Sequence, residues 1–338
     1  MKTILAAMDD HLSSGRDLVL ATITAASGAT PRGAGARMLV DAQGYVCGTI
    51  GGGAVEYRAI QMSMQVLTDK TACSHDFCLN RDDVEKLGMI CGGDVRVFFS
   101  YLSPGDRSTL DLVRTARQLY AGGENLWLLS DLADGGRLGL YSPAQGFLGP
   151  GFPAWLEPEL TRQPHRVQRD GCDFFVEQIQ SAGRVYIFGG GHVAQELEPV
   201  LSRVGFRCVI LEDRPEFAKK ELFPTAEEIR LVDFYHIADN VSITNEDYVC
   251  IMTRGHAYDT VLQAQILRAG PCYAGVIGSR SKAAAVRRVL AEEYSLTDEE
   301  LDRVTTPIGL SIGAKSPAEI AISIAAQLIQ VRAEQNSK

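Results

Sequence analysis

RVYIFGGGHVAQELEPV, residues 184–200, decides how the second half of the chain is read. VYIF is a short apolar run of the kind that forms a buried strand, and three glycines separate it from a helical pattern. Gly189, Gly191 and Ala194 fit the spacing G-x-G-x-x-G/A, with Gly190 between the first two. Gly189 permits a tight turn, Gly191 lets an anion approach the backbone, and Ala194 lets the helix pack on the sheet. The helix N-terminus then faces the anion. His192 is the polar residue inside this loop: either a proton relay near a nicotinamide or a helix-start residue bonded to a neighbouring loop.

Working outward, FRCVILED (206–213) is the next strand, and Asp213 ends it on the order of 20 residues after the first glycine, where a ribose-binding acid belongs. Arg214 sets a cation beside that acid and leaves the preference between ribose and phosphate open. EIRLVD, DYVCIM and CYAGVIG continue the rhythm, each run followed by helix-like sequence, which implies βαβ crossovers and a parallel sheet covered on both faces. TRGHAYD (253–259) and IGSRSK (277–282) then place Arg254, His256 and Arg280 at the carboxyl edge of that sheet, where open α/β folds bind ligands. Their convergence points to an anionic ligand. The last helix, SPAEIAISIAAQLIQVRA (316–333), starts with a capping box of Ser316 and Glu319 around Pro317. It is apolar almost all round and is expected to be buried, in part against a second copy of the chain.

The first half has a different rhythm. LVLATITA (18–25), ARMLVD (36–41), YVCGTI (45–50) and VRVFFSYL (95–102) read as strands, interrupted by helical patterns near 1–14, 54–68 and 106–121. NLWLLSD, RLGLYS and CDFFVEQI add further strands. LGPGFPAWLEPELTRQP, with four prolines, marks an irregular connecting segment at about 143–170. The fold class is therefore α/β: a mixed α+β N-terminal domain over 1–180, then a Rossmann-like domain with a parallel sheet over 181–338.

Composition agrees with a globular chain of two domains: 338 residues, 46% hydrophobic and 22% charged. Lys and Arg total 33 against 42 Asp and Glu, a net charge of −9, and no basic block is present, so a nucleic-acid partner is not expected. The opening MKTILAAMDD is not a secretory signal, and no apolar stretch reaches the ~18 residues of a membrane span. Eight cysteines without an export signal read as reduced thiols in a cytoplasm, with Cys208, Cys250 and Cys272 as small buried hydrophobes. Glycine is the departure: 33 residues, above the average of roughly 7%, and clumped. Gly122–Gly123 and Gly135–Gly136 read as ordinary turns.

SGATPRGAGARM (27–38) and GTIGGGAVEYRA (48–59) are the informative clumps of the first domain. Gly51, Gly52 and Gly53 open a helix with Glu56 in its first turn; the exposed amides could bind an anion with Arg32 as a charged partner, or the loop could be a tight turn that Glu56 favours electrostatically. EKLGMICGGDVRVFF (85–99) puts Cys91 before two glycines, as a reactive thiol or as a buried cysteine at a turn. Cys73, His75, Cys78 and Cys91 have a spacing that fits no common zinc finger, and no metal site is expected.

In this order, SGATPRGAGARMLVD, GTIGGGAVE, GMICGGDVRVF, YIFGGGHVAQEL, EDRPEFAKKELFP, MTRGHAYD, GVIGSRSK and PIGLSIGAKSPAEIAISIAAQLI resemble the xanthine dehydrogenase accessory factor family (XdhC/CoxI). The resemblance implies a protein that binds and protects the molybdenum cofactor (molybdopterin, with or without a nucleotide), supports its sulfuration with a cysteine desulfurase, and delivers it to xanthine dehydrogenase or a related molybdenum hydroxylase. It further implies a cytoplasmic homodimer that is a maturation factor more than an enzyme. The CoxI-like branch often carries Cys after the paired glycines, where this chain has Ala54, so a sulfur role would fall to Cys91. The polyanionic cofactor suits both glycine-rich helix starts with Arg32, Arg254 and Arg280. Two other classes stay open on the residues: an NAD(P)-dependent oxidoreductase with Asp213 on the ribose, and a scaffold whose first domain docks a partner enzyme.

Overall fold

The computed structural model describes residues 1–78, 93–254 and 256–336, in two compact units, Met1–Ser181 and Ala182–Lys338.

In the first unit α1 (Lys2–Ser13) precedes β1 (Leu18–Gly28), β2 (Arg37–Asp41), β3 (Gly44–Thr49), α2 (Gly53–Asp69), β4 (Cys73–Cys78) and β5 (Gly93–Leu102). These strands form a five-stranded antiparallel sheet in the order β3-β2-β1-β5-β4. Both faces of β1 are buried, which is why it reads as a continuous apolar run. Leu18 and Leu20 meet Ile4, Leu5, Met8 and Leu12 of α1, whereas Val19, Ala21 and Ile23 meet Val55, Ala59 and Val66 of α2.

After α3 (Arg107–Gly122) come β6 (Leu126–Asp131), β7 (Arg137–Ser142), β8 (Gly146–Leu148), β9 (His165–Arg169) and β10 (Cys172–Gln180). They make a second five-stranded antiparallel sheet, β8-β7-β6-β10-β9, whose Leu126, Leu128, Leu138 and Leu140 share the core of α1 and α3. The segment expected to be irregular at 143–170 therefore supplies both edges of this sheet, together with a 3-10 turn at Ala154–Glu159. Its strands are short or polar (GFL, HRVQR), so they lack the apolar alternation that marks a half-buried strand.

The second unit runs β11 (Val185–Phe188), α4 (His192–Arg203), β12 (Cys208–Glu212), β13 (Glu228–Leu231), β14 (Tyr248–Ile251), α5 (His256–Ala269), β15 (Tyr273–Val276), α6 (Arg280–Tyr294), α7 (Asp298–Leu301), β16 (Val304–Thr305) and α8 (Pro317–Asn336). The six-stranded parallel sheet has the order β13-β12-β11-β14-β15-β16, the doubly wound arrangement in which the chain reverses direction between β11 and β14. Val185, Ile187, Cys208, Ile210 and Cys250 face α4 and α8; Tyr186, Phe188, Val209, Leu211, Val249 and Ile251 face α5.

Two expectations need correction here. No helix follows β12: Pro215 and Pro224 interrupt the connection, which runs in turns around the buried Phe223. After β13 there is only a 3-10 turn at Ile237–Asp239. The capping box of α8 is present, with the Glu319 amide donating to Ser316 Oγ at 3.3 Å and the Ser316 amide donating to Glu319 Oε2 at 2.9 Å. But α8 is buried on one face only: Ala321, Ile324, Ala325 and Leu328 pack into the core, while Ile322 and Ile329 are exposed.

Candidate functional site

β11 delivers the chain to the switch point, and the three glycines behave differently there. Gly189 has φ +103°, and a Cβ on it would lie 2.6 Å from the Met252 carbonyl oxygen, so only glycine lets the end of β11 pass the end of β14. A Cβ on Gly190 would press on the Phe217 carbonyl at 2.9 Å. Gly191, the N-cap of α4, has an ordinary extended backbone, and a Cβ there would meet nothing within 4 Å. Of the three, Gly191 is the one that opens onto space at the helix start, where amides and the helix dipole favour an anion. Ala194 is fully buried under the sheet, as close helix–sheet packing requires.

The carboxylate nearest this loop is Glu212, the last residue of β12. It is buried, and its Oε2 accepts from the Gly190 amide at 2.5 Å. Its Oε1 accepts from the amides of Asp213 (3.2 Å) and Arg214 (3.1 Å) and from Arg214 Nε (3.0 Å). Burial pushes the Glu212 carboxyl up, but hydrogen bonds from Asp213, the Gly190 amide and Arg214 outweigh it and hold the group below the usual glutamate range. Asp213 is displaced the other way: burial, then hydrogen bonding to Glu212 and its charge, raise its carboxyl. The two acids form a close pair in which Asp213 is the better proton holder.

Asp213, Arg214 and Arg254 line one pocket with the glycine loop and Tyr258. Tyr258 sits beside Asp213, whose charge raises the phenol. Arg214 is not available as a phosphate ligand without rearrangement, because it is held by Glu212 and its guanidinium lies 4.0 Å from the centre of the Phe217 ring. Arg254 is exposed and, among the described residues, has no ion-pair partner. The pocket therefore offers an open helix start, one uncommitted cation and a protonatable acid: groups that suit a phosphate with a hydroxyl-bearing sugar next to it.

Two expected site residues lie elsewhere, and the side chain of a third is outside the described residues. His192 is exposed at the first position of α4 and does not line the pocket. Arg280 is exposed at the first position of α6 and does not line it either. His256 begins α5, and its side chain lies outside the described residues. The motifs that carry them contribute a different pair. Asp259, fully buried, accepts from Thr253 Oγ1 at 2.6 Å and forms an ion pair with Lys282, so the carboxyl ends of β14 and β15 are joined through α5 and α6.

The glycine loop of the first unit has the same device as the second. Gly51, Gly52 and Gly53 have φ of +130°, +79° and +61°, a run that side chains rarely adopt. Glu56 turns back from α2, and its Oε1 accepts from Thr49 Oγ1 at 2.5 Å and from the Ile50 amide at 3.0 Å. Burial raises this carboxyl, but Thr49 and the amides of Gly52, Ile50 and Gly51 together lower it below the usual range. Arg32 is exposed, with its stem near Gly51, and it lines another pocket of this unit.

Cys91 lies outside the described residues. Cys73 and His75 share one face of β4, and Cys78 points to the other, so these three do not converge. Glu212 and Tyr258 are the site residues that the sequence patterns missed. Strand parity could have found the first: Glu212 is in phase with Cys208 and Ile210, which face α4 beneath the glycine loop.

Known proteins share this architecture. The family described as "XdhC Rossmann domain" matches residues 185–328, and that described as "XdhC and CoxI family" matches residues 11–77. A relative from Bacillus subtilis (strain 168), described as a probable xanthine dehydrogenase subunit, is 25% identical over 333 residues, 96% of each chain. An uncharacterized protein of Escherichia coli (strain K12), YqeB, is 24% identical over 317 residues, 93% of this chain and 43% of its own length. The crystal structure of a xanthine dehydrogenase from Bacillus halodurans superposes with a TM-score of 0.78 at 25% identity, covering 98% of this chain and 96% of that one.

Proposed function

Since the chain belongs to the XdhC and CoxI family, we propose that it is an accessory factor of xanthine dehydrogenase or a related molybdenum hydroxylase. In this role it binds the molybdenum cofactor, supports its sulfuration with a cysteine desulfurase, and hands it to the hydroxylase. It acts as a cytoplasmic homodimer and turns over no substrate of its own.

The observation that carries the proposal is the opening at Gly191, an uncrowded helix start beside Arg254 and Asp213. The cofactor presents a phosphate, and in its dinucleotide form a second phosphate and a ribose. The amides at the start of α4 and Arg254 would hold the phosphate, and Asp213 with Tyr258 would hold the sugar hydroxyls. Bound in this way, the cofactor supplies the molybdenum chemistry to the recipient enzyme. The chain's own residues bind, orient and release it, and amides with one cation suit release better than ligation of the metal would. Cys91 is the thiol assigned to the sulfur step.

Purification from cells that make molybdopterin, followed by oxidation to the fluorescent pterin product, tests the proposal. Retention of the pterin supports it, and its absence refutes it. A Cys91→Ala chain that still supports full hydroxylase activation would remove the thiol from the proposal.

A second possibility, an NAD(P)-dependent oxidoreductase, is favoured by the doubly wound strand order and by the position of Asp213 after β12. It requires saturable NADH or NADPH binding that Asp213→Ala abolishes, together with turnover of a substrate.

A further inference from the structure

The solvent side of α8 has the composition of a core. Residues 320–331, IAISIAAQLIQV, contain no charged residue, although the chain as a whole carries a net charge of −9. Ala321, Ile324, Ala325 and Leu328 account for the buried side. On the opposite side Ile322 and Ile329 are 51% and 39% exposed, Ala333 is exposed and Ala326 is half-buried. Steps of four, three and four residues set these four side chains in one row along the helix. A helix that met only water would place charged and polar residues there.

The segment before the helix is fastened to it. The Leu310 amide donates to the Ser323 carbonyl at 3.2 Å, and Ser323 Oγ donates to the Leu310 carbonyl at 3.0 Å. The Gly309 amide donates to Gln327 Oε1 at 2.7 Å. Ile312 lies on this segment, 55% exposed, as a third isoleucine open to solvent.

The order Ile-Ala-Ile-Ala determines what can cover the row. Two copies of α8, antiparallel about a two-fold axis between positions 327 and 328, place Ala326 against the partner's Ile329 and Ile322 against the partner's Ala333. Every isoleucine then enters the gap beside an alanine, the knob-and-hole fit that lets helices approach closely. A parallel pair in register would set isoleucine on isoleucine and leave voids between the alanines. Charge favours the same surface. Two copies of an acidic chain repel each other least where charge is absent, and the middle of α8 is such a place.

We propose that the exposed face of α8, with Ile312 beside it, is the surface through which two copies of this chain pair, antiparallel and isologous. The inference rests on the homodimer of the accessory-factor reading and assigns it a surface and a register. A seam of one helix per copy is at the small end of stable interfaces, so the dimer dissociates on dilution.

Sedimentation velocity of the full chain between ~1 and ~100 μM tests the pairing, with circular dichroism and urea unfolding to show that each variant is folded. The wild type should pass from monomer to dimer as concentration rises. Ile329→Glu, at an exposed position, should raise the dimer dissociation constant at least tenfold. Ile329→Ala and Ala326→Ile should each weaken the dimer, the first by leaving a void and the second by crowding the seam. The double variant should regain most of the loss, because the swap again sets isoleucine against alanine. A dimer that tolerates Ile329→Glu, or single effects that merely add in the double variant, overturns the surface and leaves the homodimer standing. A chain that stays monomeric across the range overturns the surface and the homodimer together, whereas cofactor binding stands or falls by the pterin assay. A monomer whose Ile329→Glu variant no longer supports hydroxylase activation also overturns the pairing and gives the face to the recipient enzyme.

Discussion

Glu212 Oε2 accepts the Gly190 amide at 2.5 Å, so the glycine turn of the Rossmann unit already holds a carboxylate of the chain itself. Glu56 does the same for the amides of Ile50, Gly51 and Gly52 in the first unit. In both loops a glutamate satisfies amides that would otherwise be orphaned, and this fixes the loop in the absence of a ligand. What stays open to a ligand in the Rossmann unit is the Gly191 side of the turn.

Gly189→Ala and Gly191→Ala should therefore separate folding from binding. At Gly189 the new Cβ meets the Met252 carbonyl with φ at +103°, and a loss of about 3 kcal/mol or more is expected. At Gly191 the space is empty and the cost should stay below about 1 kcal/mol. Urea unfolding reads the first effect. The second variant should keep its stability and lose retained pterin, because its methyl group occupies the approach to the helix start.

The Glu212–Asp213 pair sets a pH dependence of opposite sign in its two members. Glu212 is depressed in the folded protein, so its stabilisation is present above the ordinary glutamate value of 4.5 and is lost as pH falls through the folded value. Asp213 is raised, so its contribution is complete below 3.8 and is lost as pH rises through its folded value. Asp213→Asn should consequently match the wild type in acid and be the more stable of the two at pH 7. Melting temperatures across pH 3–8 would show the two curves diverging upward in pH; a wild type that stays superior at pH 7 would contradict this.

Glu56→Gln should destabilise the first unit by about 1 kcal/mol at neutral pH, the worth of an anionic acceptor for several amides at a half-exposed site. The carboxyl is held below 4.5, so the difference is present above that value and disappears as pH falls through the folded value. Unfolding in urea at pH 7 and again in acid measures it.

Asp259 is fully buried and pairs with the partly exposed Lys282, and breaking the pair from one side leaves a charge without its partner. Asp259→Asn should cost about 3 kcal/mol, and adding Lys282→Met should restore a large part of it. A double variant no better than the single one would show that the pair is not coupled.

The strand-turn-helix of residues 184–200 was legible because it is local: an apolar run, a glycine that must take positive φ, and a small residue where helix meets sheet. The acid was half legible. Asp213 stands where a ribose-binding acid is expected, but its neighbour Glu212 points under the loop, and which of two adjacent acids does so depends on the pleat of β12. Arg280 follows a strand end just as Arg254 does, and His192 is the polar residue of the glycine loop. The helices that Arg280 and His192 begin carry them to exposed positions that do not line the pocket, a consequence of packing that spacing does not contain. The Arg37–Glu177 pair was not legible at all, since it joins residues far apart in the chain across two sheets. Strands β8 and β9 escaped for a simpler reason: their sequences are too short or too polar to alternate.

Binding of the molybdenum cofactor is tested most directly by quantifying, after oxidation, the fluorescent pterin that co-purifies with the full chain from molybdopterin-producing cells. A near-stoichiometric yield that falls in Gly191→Ala and Arg254→Ala, with both variants folded, is the expected result. No pterin above background, together with saturable NADH binding lost in Asp213→Ala, would contradict it.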